Sequence, residues 1–264
     1  MRLPTYFLSH GGGPWPWMKK EQGSTFAQLE ASLVDIPLHL PEPPKAVLVI
    51  SGHWETQGFS ISSSVNPGMV FDYYGFPEHT YHISYPAPGS PDLAQRVQTL
   101  LAQGGVDATL DSERGFDHGT FTMLKPMYPE ADMPVVQLSL DAKLDPQQHI
   151  ALGRLLAPLR EEGVLIIGSG LSYHNLRRFD PGAKMPSKQF DDWLQQVLLK
   201  TGSERTDALC DWASAPMARF AHPREDHLIP LMVAVGAAEQ DTVECIYHQD
   251  DLFGSITASS FRLG

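Results

Sequence analysis

The chain has 264 residues, of which 42% are hydrophobic and 19% charged, and its formal net charge is −12 at pH 7. This composition is typical of a globular chain rather than a disordered or membrane-spanning one, and the acidic excess disfavours a nucleic-acid partner. The longest apolar run, 231–238, is far shorter than the roughly 18 residues of a membrane span, and the N-terminus lacks a secretory signal. We therefore predict a cytoplasmic protein with no membrane partner.

Short apolar runs predict the strands of one central sheet. Continuous runs of Val, Ile and Leu are typical of buried parallel strands. In chain order, the predicted strands cover 5–8, 46–50, 59–63, 135–140, 164–167, 243–247 and 256–261. The run at 59–63 alternates Phe and Ile with Ser, which predicts an edge strand.

Capping residues mark the helices between these strands. Ser90 and Asp145 each precede a proline, the pattern of an N-cap followed by the first helical residue. A third helix is predicted over 187–200 and a fourth from Pro223 to Val235. This alternation predicts an α/β fold with a central, mostly parallel or mixed sheet, helices on both faces and a single domain.

Three histidines, His10, His53 and His174, fall just past the ends of predicted strands. Because strand carboxyl ends surround the ligand crevice of an open α/β sheet, these imidazoles are predicted to converge on a metal site. Each also has a structural interpretation: a solvated turn, a core residue bonded to backbone, or a turn at a helix start. Glu55 is a candidate carboxylate for fixing the tautomer of His53, and the more distant His174 suits proton transfer.

Two more histidines are candidates. His118 either orients a polar ligand group or assists Asp117 in capping the next helix. His222 and His227, if both lie on the predicted fourth helix, stand roughly 140° apart, so at most one can bind the ion. His227 is favoured because it precedes an apolar face, with Glu225 as the alternative.

The remaining features have weaker interpretations. The Tyr- and Pro-rich segment 72–85 is predicted to form a pocket wall or lid. Gly168-Ser169-Gly170 superficially resembles the nucleophile turn of a Ser-His-Asp hydrolase but lacks the G-x-S-x-G pattern. His39, His149 and His248 are predicted to lie on the surface.

Taken together, these segments resemble the 4,5-DOPA extradiol dioxygenase family, within the class III extradiol ring-cleavage dioxygenases. The matching segments are Ser9-His10-Gly11-Gly12-Gly13-Pro14, Ser51-Gly52-His53-Trp54, Tyr73-Tyr74-Gly75-Phe76-Pro77, Gly115-Phe116-Asp117-His118-Gly119, Gly168-Ser169-Gly170 with His174-Asn175, and His222-Pro223 with Asp226-His227. They recur in order across nearly the whole chain, which is far more specific than any single match. The resemblance implies one catalytic domain over 1–264.

The resemblance also implies residue roles. His10, His53 and His227 would hold a catalytic metal. His174 would be the acid/base group and a fourth metal contact when no substrate is bound, and His118 would assist at the substrate.

The identity of the ion is left open by the donor set. The wider class commonly uses two histidines and one glutamate on Fe(II), whereas the matching residue here is His227, and three imidazoles also suit Zn(II). One divalent metal per chain is expected, with Fe(II) for turnover and Zn(II) as an ion that purified protein can carry. Tyr73, Tyr74, Phe76 and Trp54 are expected to supply an aromatic wall for the substrate.

The implied activity is the opening of the ring of a catechol such as DOPA with O2, giving a muconic semialdehyde of the 4,5-seco-DOPA type. Two alternatives remain open: a Zn-dependent hydrolase that uses the same imidazoles to activate water, and a non-catalytic binding protein of this fold. The sequence does not indicate the physiological catechol or the oligomeric state. Nor does it indicate which of Arg114, Arg177, Arg219 or Arg224 meets a substrate carboxylate.

Overall fold

One mixed sheet of eight strands runs through the computed structural model, which describes residues 1–264. The strands are β1 (Thr5–Ser9), β2 (Ala46–Thr56), β3 (Phe59–Ser62), β4 (Ala108–Asp111), β5 (Val135–Asp141), β6 (Val164–Gly170), β7 (Val243–Leu252) and β8 (Ile256–Leu263). They lie side by side in the order β4-β3-β5-β2-β6-β1-β8-β7. The predicted sheet is therefore confirmed as a mixed one.

The centre of this sheet is parallel. β2 pairs in parallel with β5 and β6, and β6 pairs in parallel with β1. β8 runs antiparallel to both β1 and β7. The four parallel strands are the ones predicted from continuous apolar runs, and their carboxyl ends meet along one edge of the sheet.

Nine α-helices and six short 3-10 helices connect the strands. The α-helices are α1 (Lys19–Gln22), α2 (Ala27–Asp35), α3 (Pro91–Gln103), α4 (His118–Met127), α5 (Pro146–Leu156), α6 (Lys184–Leu198), α7 (Gly202–Cys210), α8 (Ala218–Ala221) and α9 (Ile229–Ala237). The 3-10 helices are Trp15–Trp17, Ile36–His39, Glu78–Tyr81, Ala157–Arg160, Pro181–Ala183 and Trp212–Ser214. Both predicted N-caps are confirmed, since the side chains of Ser90 and Asp145 accept hydrogen bonds from the first turns of α3 and α5.

Helices pack on both faces of the sheet, as predicted. In β6, the Ser169 hydroxyl donates to the carbonyl of Gly119 in α4, whereas the neighbouring Gly168 lies against Pro230 of α9. Successive residues of a strand point to opposite faces, so α4 and α9 cover opposite sides. One contiguous cluster of 68 buried apolar residues joins these layers. None of the helices combines the length and the apolar character needed to cross a bilayer.

Two local predictions are wrong. The helix expected from Pro223 does not form there: residues 222–228 make turns and α9 begins at Ile229, because Pro230 takes the first-turn position where a missing N–H costs nothing. The run at 59–63 is not at the edge, since β3 lies between β5 and the short, half-exposed β4. Only four residues long, β4 gives too weak a pattern to be recognised in the sequence.

His149 is fully buried, which corrects its predicted surface position. Its Nδ1–H donates to the carbonyl of Asp145 at 2.7 Å, and its Nε2 accepts from the backbone N–H of Asp141 at 3.2 Å. Burial lowers the pKa of this imidazole, although the backbone hydrogen bond and the nearby carboxylates act in the opposite direction. The ring is therefore a neutral structural link between β5 and α5.

We expect this buried ring to contribute to acid sensitivity. The unfolded chain takes up the proton below pH of about 6.5 and the folded chain does not, so His149 stabilises the fold above that pH and this stability is lost as the pH falls. In His149→Gln the drop in unfolding free energy between pH 7.5 and pH 5.5, measured by urea denaturation, should shrink by about 1 kcal/mol. The matched variant of an exposed imidazole, His39→Gln, should keep the wild-type drop. An unchanged drop in His149→Gln would contradict this assignment.

Candidate metal centre

Three imidazoles meet at the carboxyl edge of the sheet. His10 follows β1, His53 lies near the end of β2, and His227 lies in the turn before α9. Nε2 of His53 is 3.2 Å from Nε2 of His10 and 3.0 Å from Nε2 of His227. Nitrogens bound about 2.1 Å from one ion stand about 3 Å apart, so these three rings fit a single metal.

The tautomers of two of these rings strengthen that fit. Nδ1 of His227 is 2.6 Å from Oδ2 of Asp226, and Nδ1 of His53 is 3.1 Å from Oδ2 of Asp72. A carboxylate beside Nδ1 favours the N–H there and leaves the lone pair on Nε2. The lone pairs of His53 and His227 therefore face each other at 3.0 Å, an arrangement that a cation stabilises and that is repulsive without one.

Asp72 joins His53 to a fourth ring. Its Oδ1 lies 2.8 Å from Nδ1 of His118 and accepts the backbone N–H of that residue at 3.1 Å. Burial alone would raise the pKa of Asp72, but the hydrogen bonds from His118 and His53 outweigh it and hold the pKa far below its usual range. The ionised carboxylate fixes both imidazoles, and Nε2 of His118 is left as an acceptor beside the cavity.

His174 lies on the opposite side of the cluster. Its ring stacks on that of His227, with centroids 3.3 Å apart and planes 13° from parallel, and its Nδ1 is 4.0 Å from Oδ2 of Asp226. The backbone N–H of His174 donates to the carbonyl of Ala221 at 3.0 Å, which fixes the turn that carries it. His174 and His118 thus flank the three convergent nitrogens.

Four imidazoles of the site, those of His10, His118, His174 and His227, are kept neutral. Burial, followed by repulsion from neighbouring imidazoles, lowers the pKa of His10 and His227 well below the ordinary value. The same causes lower the pKa of His174 to about 3 and also lower the pKa of His118. Neutral imidazole is the form that binds metal, so the burial of these rings prepares them as ligands.

A cavity of about 570 Å³ opens onto these rings. Its other lining residues are Gly11, Gly12, Gly13, Asp72, Tyr73, Tyr74, Phe76, Leu171, Leu176, Phe179, Asp226 and Phe253. Aromatic and aliphatic walls around a few polar groups are typical of a small-molecule site. Segment 72–85 contributes Asp72, Tyr73, Tyr74 and Phe76 to this wall, in agreement with the sequence prediction.

Two sequence predictions fail at this site. Trp54 does not line the cavity; it is buried beneath the guanidinium of Arg114, whose carbon lies 5.0 Å from the indole centre. Glu55 does not contact His53, because it forms an ion pair with Arg224. Asp72 and Asp226 take the role expected of Glu55, and neither was singled out for it because the fold alone brings them to the imidazoles.

Two other candidates point away from the cluster. The carboxylate of Glu225 pairs with Arg219 at 2.6 Å, so it does not reach the three Nε2 atoms. His222 is fully buried and its Nε2 is 2.9 Å from the carbonyl of Ser172, which makes it a structural residue. Asp117 does not cap α4 with its side chain and instead accepts hydrogen bonds from Ser51 and Gln137 beneath the site.

Gly168-Ser169-Gly170 has a steric explanation. A Cβ on Gly170 would stand 2.1 Å from the carbonyl oxygen of His227, and one on Gly168 would stand 2.3 Å from that of Pro230. The two glycines therefore let the turn that carries His227 pack directly on β6. Ser169 is buried with its hydroxyl bonded to a backbone carbonyl, so the hydrolase interpretation has no nucleophile here.

Comparison with known proteins gives a consistent result. Residues 4–260 match the model of the family described as the catalytic LigB subunit of aromatic ring-opening dioxygenase. The chain is 39% identical over 263 residues to a 4,5-DOPA dioxygenase extradiol of Beta vulgaris, covering 98% of this chain and 95% of that protein. It is 34% identical to the protein of that name in Escherichia coli strain K12, covering 100% and 95%. It also resembles the crystal structure of an uncharacterized protein from Escherichia coli K12, with a TM-score of 0.79, 30% identity and complete coverage of both chains.

The close contact between Gly170 and the carbonyl of His227 predicts that a substitution of this glycine weakens metal binding, although Gly170 is not itself a ligand. In Gly170→Ala the new methyl group must displace the carbonyl of His227 and with it the ring, so the affinity for Zn(II) should fall at least about tenfold. Gly68→Ala is the matched control, because a Cβ at Gly68 meets nothing within 4 Å. Titration of metal-free protein with Zn(II) measures both. Equal affinities in the two variants would disprove the steric explanation.

Proposed function

This chain belongs to the family of catalytic LigB subunits of aromatic ring-opening dioxygenases, and from that premise we propose that it opens the ring of a catechol of the DOPA type. The carbon–carbon bond beside the diol breaks and both atoms of O2 enter a muconic semialdehyde. The catechol supplies all the electrons that O2 takes up, so no separate reductant is consumed. With DOPA the product would be 4,5-seco-DOPA.

The observation that carries this proposal is the convergence of three imidazoles on the wall of an aromatic cavity. We assign His10, His53 and His227 as ligands of one divalent metal per chain. When bound, Fe(II) would supply the redox chemistry that lets O2 react with a catechol, which side chains alone cannot provide. Three imidazoles also suit Zn(II), so purified protein can carry zinc while turnover requires iron.

His174 and His118 are proposed to handle the substrate. A neutral His174 ring beside the ligand His227 can take a proton from a catechol hydroxyl and return it to the product. His118 presents Nε2 to the cavity as an acceptor for a second polar group, and Asp72 prevents the ring from turning. His174 is also the proposed fourth metal contact when the substrate is absent.

Substrate placement follows from the cavity wall. Tyr73 is held by its hydroxyl, which donates to the carbonyl of Thr80 at 2.6 Å, so its ring is a fixed aromatic surface. Phe76 packs edge-on to Tyr73 at 5.4 Å, while Tyr74 is 91% exposed at the rim. We propose that the catechol ring lies against Tyr73 and Phe76 and that the whole chain, 1–264, works as one catalytic domain.

Oxygen consumption tests the function directly. Protein reconstituted with Fe(II) under anaerobic conditions and then mixed with O2 should take up one O2 per catechol and give a yellow product that contains both labelled atoms from ¹⁸O₂. The zinc-loaded protein is the control and should take up none. Absence of uptake with every catechol in a panel that includes DOPA would disprove the proposal. Hydrolysis of an ester or amide by the zinc form would favour the hydrolase instead.

Two substitutions distinguish the proposed acid/base role of His174 from the proposed metal-binding role of His53. His174→Ala should retain stoichiometric metal and lose turnover by about 10²–10⁴-fold, the usual contribution of a general acid/base. His53→Ala should lose the metal itself, since this ring is central among the three nitrogens. Metal content by mass spectrometry and O2 uptake report on both. Loss of metal from His174→Ala would make His174 a structural ligand.

A further inference from the structure

A second depression adjoins the metal cavity on the side of His174. It has a volume of about 570 Å³ and is lined by His174, Asn175, Leu176, Arg177, Arg178, Pro223, Arg224 and Asp226. His174, Leu176 and Asp226 line both spaces, so a substrate bound beside His174 can extend from one into the other. We call this second space the side depression.

The side depression is basic in an otherwise acidic protein. Three arginines and one aspartate line it, whereas the chain as a whole carries −12. Arg224 is paired with Glu55, and Arg178 is paired with Asp180 at 2.9 Å. Arg177 has no carboxylate partner in the structure, so its guanidinium is the one in this space that is free to pair with an anion.

The other arginines that the sequence offered are already engaged. Arg114 pairs with the buried Asp117 at 2.8 Å, and Arg219 pairs with Glu225 at 2.6 Å while lying over the ring of Trp212. An arginine bound to a carboxylate has little attraction left for a second one. Among the four candidates, Arg177 alone has no carboxylate partner, and it is an exposed residue in the lining of the side depression.

The backbone that carries Arg177 is fixed relative to His174. The buried side chain of Asn175 donates to the carbonyl of Phe220 at 2.7 Å and accepts the backbone N–H of Arg177 at 3.2 Å. The hydroxyl of Tyr173 donates to the carbonyl of Arg178 at 2.8 Å. These bonds tie both ends of a short turn, so Arg177 stands at a set position three residues beyond the proposed acid/base group.

We infer that Arg177 binds a carboxylate on the side chain of the substrate and so selects catechols that bear a carboxylate over those that lack one. This inference rests on the proposed function and adds the residue that determines substrate class. A guanidinium and a carboxylate form charge-assisted, often bidentate hydrogen bonds, which favour a planar anion over a neutral or cationic group. Because Arg177 acts on a part of the substrate remote from the ring, its loss should raise KM and leave kcat nearly unchanged.

The test compares DOPA with 4-methylcatechol, which has the same diol but no carboxylate. In Arg177→Gln the KM for DOPA should rise about tenfold, as expected for a lost charge-assisted hydrogen bond, while the KM for 4-methylcatechol stays within about twofold. Arg177→Lys should recover part of the loss, because the charge remains but the fork geometry does not. Arg219→Gln is the matched control and should change neither substrate.

A binding measurement separates this inference from the proposed function. The dissociation constants of 3,4-dihydroxyphenylpropionate and 4-methylcatechol with Zn(II)-loaded wild-type protein and Arg177→Gln require no ring opening. A selective loss of about tenfold for the carboxylate supports the inference even if no turnover is found. Equal changes for both ligands, or none for either, would overturn it. Turnover of 4-methylcatechol without any effect of Arg177 on DOPA would overturn this inference alone.

Discussion

The arrangement of this protein depends on imidazole nitrogens that face one another. Nε2 of His53 is 3.2 Å from that of His10 and 3.0 Å from that of His227, and the carboxylates of Asp72 and Asp226 orient the rings from behind. Burial keeps the rings of His10 and His227 neutral, because a charged imidazole in this space would lose its hydration and repel its neighbours. A cation between the nitrogens resolves their mutual repulsion. The same features make this cluster well suited to hold one divalent metal.

The fold brings these rings together by packing rather than by local sequence. β1 and β2 are both parallel neighbours of β6, so His10 and His53 leave the sheet at the same edge. His227 comes from the other direction, on a turn that rests against β6 because Gly170 has no side chain there. Beneath His53, the buried carboxylate of Asp117 binds Ser51, Gln137 and Arg114. This polar network satisfies groups that would be costly to bury unpaired and holds the end of β2 in place.

The site has two chemically different sides. On one side, Asp72 ties His118 to His53 and the aromatic wall begins at Tyr73. On the other, His174 stacks on His227 and the cavity adjoins the side depression, whose lining includes Arg177. A planar diol placed between the two sides would meet a proton acceptor at each. A substituent on its ring would meet arginine side chains only where it extends into the side depression. The proposed roles in metal binding, proton transfer and substrate choice thus fall to separate groups on adjoining spaces.

The sequence by itself determined the buried parallel strands, the capped starts of α3 and α5 and the identity of the histidine cluster. Each of these depends on a local signal: a continuous apolar run, a Ser or Asp before Pro, or an imidazole just past a strand. The tertiary structure alone decided that Asp72 and Asp226 orient the rings, that Trp54 lies under Arg114 outside the cavity, and that α9 begins at Ile229. It also decided that Arg114, Arg219 and Arg224 are paired with carboxylates, whereas Arg177 is not. These outcomes depend on contacts between segments far apart in the chain, such as Asp72 with His118 and Glu55 with Arg224, and no local pattern of residues encodes which distant partner a charge will meet.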